Sequence, residues 1–467
     1  MSLDGAMMTG IAALDANSAA MDIYSSNIAN VDTIGYKDVT ANFSDVLASV
    51  YGDSESSGVM ASSTQNITEQ GLIQSASSPT DLAVSGNGMF VVSNDATGGS
   101  QYYTRVGNFT PDASGNLENA NGYYLMGWPV TNGTTNTGSL EPVNISDIAG
   151  MAQPTANVTI QANLDSGATI VPTGTGTGQY SVGDMAGSTP SVTPEFSQTV
   201  DVYDSQGGSQ PLTINYVQTA TNTWSYEVEY TGSQPISAPM TGLSPPNTTT
   251  IAAGTLTFNS LGQMTGVTND TLGPNGVTGQ GPDTTGISFN IPWSSGGGGT
   301  PASNLYDPSN PQGQQINVNV GSIDGTNGIT QFDSPSATVN SSVDGLPYGN
   351  VTGVTVDSNG YVTAQFSNGL TQNVYQLPLA TFADEDGLNA VSGDAYQESL
   401  ASGNANINAA NSGGAGQIQS SALEGSTVDL ATEFTNLITT QRAYSAASRI
   451  VTTADEMLQT LEQLPST

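Results

Sequence analysis

The stretch "SSNIANVDTIGYK", from Ser25 to Lys37, holds two asparagines, a glycine, a tyrosine and one of only four Lys or Arg residues in a chain of 467. It follows a helical pattern and predicts the exit from that helix. The two asparagine side chains can bond backbone carbonyls freed at the helix end. The Thr-Ile-Gly segment predicts a turn, and Tyr36 predicts a buried ring whose hydroxyl stays in water.

Apolar residues recur every seven positions at both ends of the chain. This spacing is typical of helices with a narrow apolar stripe of the coiled-coil kind. The amino-terminal stripe consists of Met7, Leu14, Met21 and Ile28, with Ile11 four residues after the first. The carboxyl-terminal stripe consists of Leu430, Leu437, Tyr444, Val451 and Leu458, with Ala447, Ala454 and Leu461 three residues after its later members. Two arrangements stay open, a helical hairpin within one chain and contact between copies in a polymer.

The carboxyl-terminal helix is predicted to run from Thr427 to Gln463. Ser426, followed three residues later by Asp429, resembles a capping box, and Pro465 ends the pattern. A helix of that length would be about 55 Å long.

Between the ends the hydrophobic period changes to two. In "TWSYEVEYTG", which starts at Thr223, the alternation predicts a half-buried strand with Glu227 and Glu229 facing water. "LAVSGNGMFVV", which starts at Leu82, predicts a hairpin. Four turns of one type are predicted, each opened by Asp or Asn and closed by Gly. They are "DASG", "DSQG", "NSLG" and "DSNG", starting at Asp112, Asp204, Asn259 and Asp357.

The composition argues against several function classes. The formal net charge of −36 excludes nucleic-acid binding, because phosphate contacts need clustered Lys and Arg. The absence of Cys and His removes thiol nucleophiles, Ser-His-Asp triads, zinc sites and haem ligation. No run of 18 apolar residues exists, so we expect no membrane insertion. We therefore expect neither an enzyme nor a cofactor.

Two further segments have compositions that bear on metal binding and export. "ADEDG", with Asp384, Glu385 and Asp386, matches no EF-hand loop, so a solvated loop is favoured over a calcium site. The start, "MSLDGAMMTG", has Asp4 where a secretory signal would carry positive charge. If the protein leaves the cell, we expect it to do so without a cleaved signal peptide.

Four segments together resemble one protein family. "SSNIANVDTIGYK" is similar to the N-I-A-N-x-x-T-x-G-Y-K signature of bacterial flagellar rod and hook proteins. "QRAYSAASRIVTTADEMLQTLEQL" resembles the carboxyl-terminal helix of that family. The segments from Gly71 to Trp128 and from Val343 through "LATFADEDGLNAV" are also similar to it. The residues that carry the signature are Asn27, Ile28, Ala29, Asn30, Thr33, Gly35, Tyr36 and Lys37.

The resemblance implies a structural function. Within the family the chain is most like a hook subunit, which self-assembles into a curved, flexible tube and acts as a universal joint between rod and filament. The alternatives are a distal rod protein and, from a different class, a secreted β-rich adhesin. The implied partners are further copies of itself, the rod and hook-filament junction proteins, the hook cap and the flagellar type III export apparatus. The implied location is the extracellular flagellum.

The resemblance also implies an architecture. We expect a multidomain α+β fold with terminal helical coiled-coil arms and discontinuous all-β domains. Residues 1–70 and 407–467 are expected to form the helical inner core with connecting arms. Residues 71–150 and 341–406 are expected to form an inner β domain, and residues 151–340 an inserted outer β domain.

Specific residues are expected at the contacts within and between copies. Lys37 should find a carboxylate on its own or a neighbouring subunit, and Arg442 and Arg449 should meet Asp15 or Asp22. The expected polymer and coiled-coil interface consists of Met7, Ile11, Leu14, Met21, Ile28, Leu430, Leu437, Arg442, Tyr444, Val451, Leu458 and Leu461.

Overall fold

The computed structural model of the chain describes residues 3–48, 56–131, 133–187, 189–232, 250–273, 276–279, 287–291 and 314–462. A long helix lies at each end of this part of the chain, α1 (Leu3–Ala29) and α2 (Leu430–Glu462). Strands occupy most of the region between them. The predicted class, α+β with terminal helices and a discontinuous β-rich body, is confirmed.

The chain divides into two compact units. Unit 1 comprises Met1–Ala149, Val351–Phe366 and Thr371–Thr467, and unit 2 comprises Gly150–Asn350 and Ser367–Leu370. The first strands of unit 1 are β1 Val39–Ala48, β2 Ser56–Gln65, β3 Ile73–Ser75, β4 Leu82–Ser85, β5 Met89–Ser93, β6 Gln101–Thr104, β7 Phe109–Pro111, β8 Leu117–Asn119, β9 Tyr124–Thr131, β10 Thr134–Thr135 and β11 Glu141–Pro142. The strands of unit 2 are β12 Met151–Gln153, β13 Asn157–Asp165, β14 Phe196–Tyr203, β15 Ser209–Ala220, β16 Thr223–Tyr230, β17 Thr250–Phe258, β18 Met264–Gly273, β19 Gly276–Gly279, β20 Ile287–Ile291, β21 Gln314–Asn319, β22 Ile329–Phe332, β23 Ala337–Val343 and β24 Leu346–Gly349. Unit 1 then resumes with β25 Val351–Val356, β26 Tyr361–Phe366, β27 Thr371–Gln376, β28 Pro378–Thr381, β29 Asn389–Val391, β30 Ala395–Gln397, β31 Asn406–Ala409, β32 Gln417–Ser420 and β33 Ala422–Glu424.

Unit 1 is built on one large sheet whose main strand order is β25-β26-β27-β9-β5-β6-β30-β29. Its neighbouring strands pair antiparallel and come from both sides of unit 2 in the sequence. A fully buried aliphatic and aromatic cluster that includes Leu82, Phe90, Val362 and Leu379 forms a core beneath it. The β1–β2 pair is a separate ten-residue antiparallel ribbon directly after the helix exit, which the sequence patterns did not reveal.

The two larger sheets of unit 2 share one core, and β12 and β24 form a separate two-stranded sheet. Strands β14 to β19 form an antiparallel meander in chain order, and β13 lies at the centre of the second sheet. Ile160 and Leu164 from the second sheet and Trp224 and Tyr226 from the meander belong to the same buried cluster.

All four predicted Asp/Asn-Gly turns are confirmed. In each, the side-chain oxygen of the first residue accepts hydrogen bonds from backbone amides two and four residues later, at 2.8 to 2.9 Å. The closing glycines have left-handed φ angles between 76° and 89°. The turns form reliably because their hydrogen bonds are local.

Two strand predictions were wrong. β4 and β5 do not form a hairpin, because β4 pairs with β32 while β5 pairs with β6, β9 and β28. Strand β16 is buried on both faces, and Glu227 is fully buried rather than exposed to water. The outer face of the meander is covered by a second buried cluster from the segment before β14, which includes Tyr180, Met185 and Val192. Backbone amides of that segment bind Glu227 and Glu229, each at 2.7 Å.

The acidic segment "ADEDG" is solvent-exposed, as predicted, but it is folded and not an open loop. It contains a short 3-10 helix, Glu385–Gly387, and Asp386 Oδ1 accepts hydrogen bonds from the amides of Ile67 at 2.9 Å and Thr68 at 3.3 Å. Across the described residues, no group of three or more acidic side chains is arranged to hold a metal ion. The same part of the chain holds no helix long and apolar enough to cross a membrane.

Candidate polymer interface and helix-exit site

The side chain of Asn27 holds the end of α1 by making two hydrogen bonds to the backbone of Val39, as the backbone of a paired strand would. Its amide donates to the carbonyl of Val39 at 2.8 Å, and its carbonyl oxygen accepts from the amide of Val39 at 3.0 Å. The prediction that this amide bonds a freed helix carbonyl was wrong for Asn27. It was right for Asn30, whose side chain donates to the carbonyl of Ser26 at 2.9 Å.

The turn after α1 places a tyrosine against Asn27. Thr33 donates its hydroxyl to Asn30 Oδ1 at 3.1 Å, and Gly35 takes a left-handed φ of 71°. Tyr36 is buried, and its hydroxyl donates to Asn27 Oδ1 at 3.2 Å instead of facing water. Burial is the main cause that raises the pKa of Tyr36. Of the remaining signature residues, Ile28 is half-buried and Ala29 is exposed.

Lys37 closes the motif with a buried ion pair. Its ammonium donates to Glu424 Oε1 at 2.7 Å and to the carbonyl of Glu69. Arg105 Nη1 donates to Glu424 Oε2 at 3.3 Å, so two cations share one carboxylate. Burial lowers the pKa of Lys37, and the charge of Glu424 opposes that shift. The partner of Lys37 thus lies on the same subunit.

The exit of α1 is also tied to the entry of α2. The amide of Gly35 donates to the carbonyl of Glu424 at 2.8 Å, and Thr427 Oγ1 donates to Asp38 Oδ1 at 2.9 Å. The predicted capping box at Ser426 was wrong, because α2 begins at Leu430 and Asp429 caps it. Asp429 Oδ1 accepts from the amide of Ala431 at 2.9 Å. Sequence reasoning missed Glu424 and Arg105, although the scarcity of basic residues was a signal for the arginine.

The two helices pair antiparallel within the subunit through small side chains. Gly10 lies against Ala447 and Val451, whereas Tyr24 interacts with Glu433 and Thr440. The buried seam consists of Gly10, Ala16, Ala20, Tyr24 and Asn27 on α1 and of Glu433, Thr440, Ala447 and Ala454 on α2. The α2 residues are spaced by seven, so the heptad exists. Ala447 and Ala454 belong to the predicted stripe, whereas Glu433 and Thr440 were not among the predicted residues. Small residues allow two helix backbones to approach closely.

The larger predicted stripe residues flank this seam. The half-buried ones are Met7, Leu14, Met21, Ile28, Leu437, Val451 and Leu458. The exposed ones are Ile11, Leu430 and Tyr444. The side chain of Leu461 lies outside the described residues. Large apolar side chains that are 37 to 61% exposed stand on both helices, namely Met8, Ile11, Leu430, Phe434, Ile438, Tyr444, Ile450 and Met457.

Arg442 and Arg449 do not meet Asp15 or Asp22 within the subunit. All four side chains are exposed, and the ion pairs among the described residues involve only Lys37, Arg105 and Glu424. The expected pairing therefore fails inside one chain. Asp15, Asp22 and Arg442 lie on the sides of the helices that point away from the seam, and Arg449 borders a groove beside Ala6 of α1 instead.

Family models match four parts of the chain and define its class. Residues 7–37 match the flagella basal body rod protein model, and residues 83–175 match the flagellar hook protein FlgE/F/G D1 domain. Residues 163–346 match the flagellar basal body protein FlaE D2 domain. Residues 419–464 match the flagellar basal body rod FlgEFG protein C-terminal model. The molecule is therefore of the class of flagellar rod and hook proteins.

Curated relatives narrow the class to one family. The flagellar hook protein FlgE of Caulobacter vibrioides is 31% identical, with 99% of this chain and 99% of that protein covered. FlgE of Rhizobium meliloti is 32% identical over 99% of this chain and 100% of that protein. FlgE of Salmonella typhimurium is 30% identical over 97% of this chain and 98% of that protein. The chain belongs to the flagellar hook protein FlgE family, which is a family of structural proteins and not of enzymes.

Proposed function

We propose that this chain is the repeating subunit of a flagellar hook and polymerises into a curved, flexible tube that transmits torque from rod to filament. The observation that carries the proposal is the pairing of α1 and α2 through small residues, which leaves large apolar side chains of both helices in water. Exposed apolar patches of this kind mark protein interaction surfaces.

The three predicted segments would then occupy successive layers. Residues 1–70 with 407–467 would line the axis of the tube, residues 71–150 with 341–406 would surround them, and residues 151–340 would lie outermost. The match of the rod-type family models to residues 7–37 and 419–464 supports the innermost assignment.

Family membership supports the remaining partners and the location. We propose contacts with the rod, the hook-filament junction proteins and the hook cap, passage through the flagellar export apparatus, and an extracellular position on the flagellum. The signature residues Asn27 to Lys37 would direct the chain from the axial helix into the outer layers, with Lys37 as the buried anchor.

Polymerisation of the purified chain tests the proposal. Electron microscopy of the wild-type chain is expected to show curved tubes. Phe434→Gln with Ile438→Gln should abolish them without lowering the thermal stability of the subunit, because both side chains are already exposed. Thr435→Gln, on an exposed position of the same turn, is the matched control and should leave the tubes intact. A wild-type chain that stays monomeric under all assembly conditions would contradict the proposal.

A further inference from the structure

The chain carries an exposed pair of arginines and an exposed pair of aspartates, and the two residues of each pair have the same separation in the sequence. Arg442 and Arg449 lie seven residues apart on α2, and Asp15 and Asp22 lie seven residues apart on α1. Seven residues of helix span about 10.5 Å. The arginines are also the two basic residues that the buried network around Glu424 does not use.

These charges lie on the outer sides of the helix pair. Each residue turns the helix by about 100°, so Arg442 points about 200° away from the buried Thr440. The backbone position of Arg449 has the same relation to Ala447, which contacts α1 at the seam, and its exposed side chain borders a groove beside Ala6. By the same arithmetic, Asp22 points about 200° away from the buried Ala20. The outer sides of α1 and α2 therefore face in opposite directions, and one copy can use each of them toward a different neighbour.

We propose that Arg442 and Arg449 of one copy form ion pairs with Asp22 and Asp15 of a neighbouring copy, so that α2 of each copy packs against α1 of the next. This inference rests on the proposed function, because it assumes that the chain polymerises. The contact is heterologous, and repeated heterologous contacts build rings or helical polymers instead of closed dimers.

The register of the proposed contact is close to that inside the subunit. Gly10 lies against Val451 within one chain, which places Asp15 about level with Ala446. Pairing Asp15 with Arg449 of a neighbour shifts this level by three residues, about 4.5 Å. Neighbouring copies thus need only a small axial offset to form both ion pairs at once.

The surface between the charges also fits a second helix. Ser18 and Ala19 are exposed between the two aspartates, and Ser445 and Ala446 are exposed between the two arginines. Small residues on both sides let the helices approach while the longer arginine side chains reach the aspartates. Each copy has a formal net charge of −36, so neighbouring copies repel one another. Ion pairs at this contact would offset part of that repulsion.

Charge reversal on each side tests the inference. Arg442→Glu with Arg449→Glu, and separately Asp15→Arg with Asp22→Arg, are each expected to raise the critical concentration for polymerisation at low salt about tenfold, since two attractive pairs become repulsive. The aspartate variant is the sharper case. It lowers the net negative charge of each copy, so general repulsion would predict easier assembly.

Combining the two sets of reversals, in one chain or in a mixture of two variants, tests whether the contact is intermolecular. A chain with all four reversals should polymerise like the wild type. An equimolar mixture of the two double variants should co-assemble at a concentration at which neither variant polymerises alone. Sedimentation and electron microscopy measure assembly, and circular dichroism melting should show the same subunit stability for every variant. Double variants that polymerise like the wild type, or a mixture that fails to co-assemble, would overturn the inference. A wild-type chain that never polymerises would instead overturn the proposed function.

Discussion

The ammonium of Lys37 lies 2.7 Å from Glu424 Oε1, and both side chains are fully buried, although 387 positions separate them in the sequence. Arg105 shares the same carboxylate, and the amide of Gly71 also donates to it at 2.8 Å. One glutamate thus joins the helix exit, the end of β6 and the segment before α2. The conformation that redirects the chain after α1 depends on this carboxylate.

Removing the charge of Glu424 is expected to destabilise unit 1 strongly. Glu424→Gln leaves two buried cations without a counter-charge, which costs about 3 to 5 kcal/mol. Glu141→Gln, at an exposed position of the same unit, should change the free energy of unfolding by less than about 0.5 kcal/mol. Urea denaturation of both variants measures the difference, and equal midpoints would show that the buried network is not required.

The turn glycine of the motif is expected to tolerate no side chain. A Cβ at Gly35 would lie 3.0 Å from the amide nitrogen of Val106 and would also stand at a φ of 71°. Gly369, at a φ of 86° with open space around it, is the matched control. Gly369→Ala should cost about 1 to 2 kcal/mol from the backbone alone.

Gly35→Ala should cost more than this control, because backbone atoms cannot move aside as a flexible side chain can. The melting temperature of unit 1 in Gly35→Ala and that of unit 2 in Gly369→Ala measure the two losses of stability. Similar losses of stability in both variants would mean that the close contact with Val106 adds nothing to the cost of the backbone conformation.

Unit 2 is expected to lose stability as the pH rises from about 4.5 to about 7. Burial raises the pKa of Glu227 from the ordinary 4.5 to about 7, and the amide of Gly183 opposes that shift. The folded state therefore binds a proton that the unfolded state has released in this window. The stabilisation is complete below the unfolded pKa and is lost as the pH passes the folded one, on the order of 3 kcal/mol.

Glu227→Gln should remove this slope, because the amide is neutral at every pH and keeps an oxygen for Gly183. The variant should match the wild type near pH 4 and exceed it near pH 8. Glu195→Gln, exposed in the same unit, should leave the pH profile unchanged. Parallel profiles of unfolding free energy for wild type and Glu227→Gln would contradict the assignment.

The helix seam is expected to reject larger side chains. Ala447 is buried against α1, whereas Ala446 is exposed beside it. Ala447→Leu should separate the helices and cost about 1 to 3 kcal/mol, as overpacking does. Ala446→Leu should stay within about 0.5 kcal/mol of the wild type, since leucine and alanine both favour helices. Helix melting followed by circular dichroism compares the two, and equal effects would place the seam elsewhere.

The sequence by itself determined the local features. The four Asp/Asn-Gly turns form as predicted because their donors, acceptors and positive-φ glycines lie within five residues of one another. The terminal helices follow from periodicity, with α2 starting three residues later than predicted because Asp429 caps it. The family assignment follows from motifs at both ends and in the middle of the chain.

The tertiary structure alone decided which partners distant residues meet. Strand alternation shows that two faces exist, but a covering segment whose Gly183 lies 44 residues away buries Glu227. Heptad spacing predicts a seam that includes both large and small residues, but close backbone approach buries Ala447 and Ala454 and leaves the larger Tyr444 exposed. The burial of a side chain depends on contacts between segments that are distant in the sequence. The free energy of these contacts depends on three-dimensional packing, and a local sequence pattern does not predict that packing.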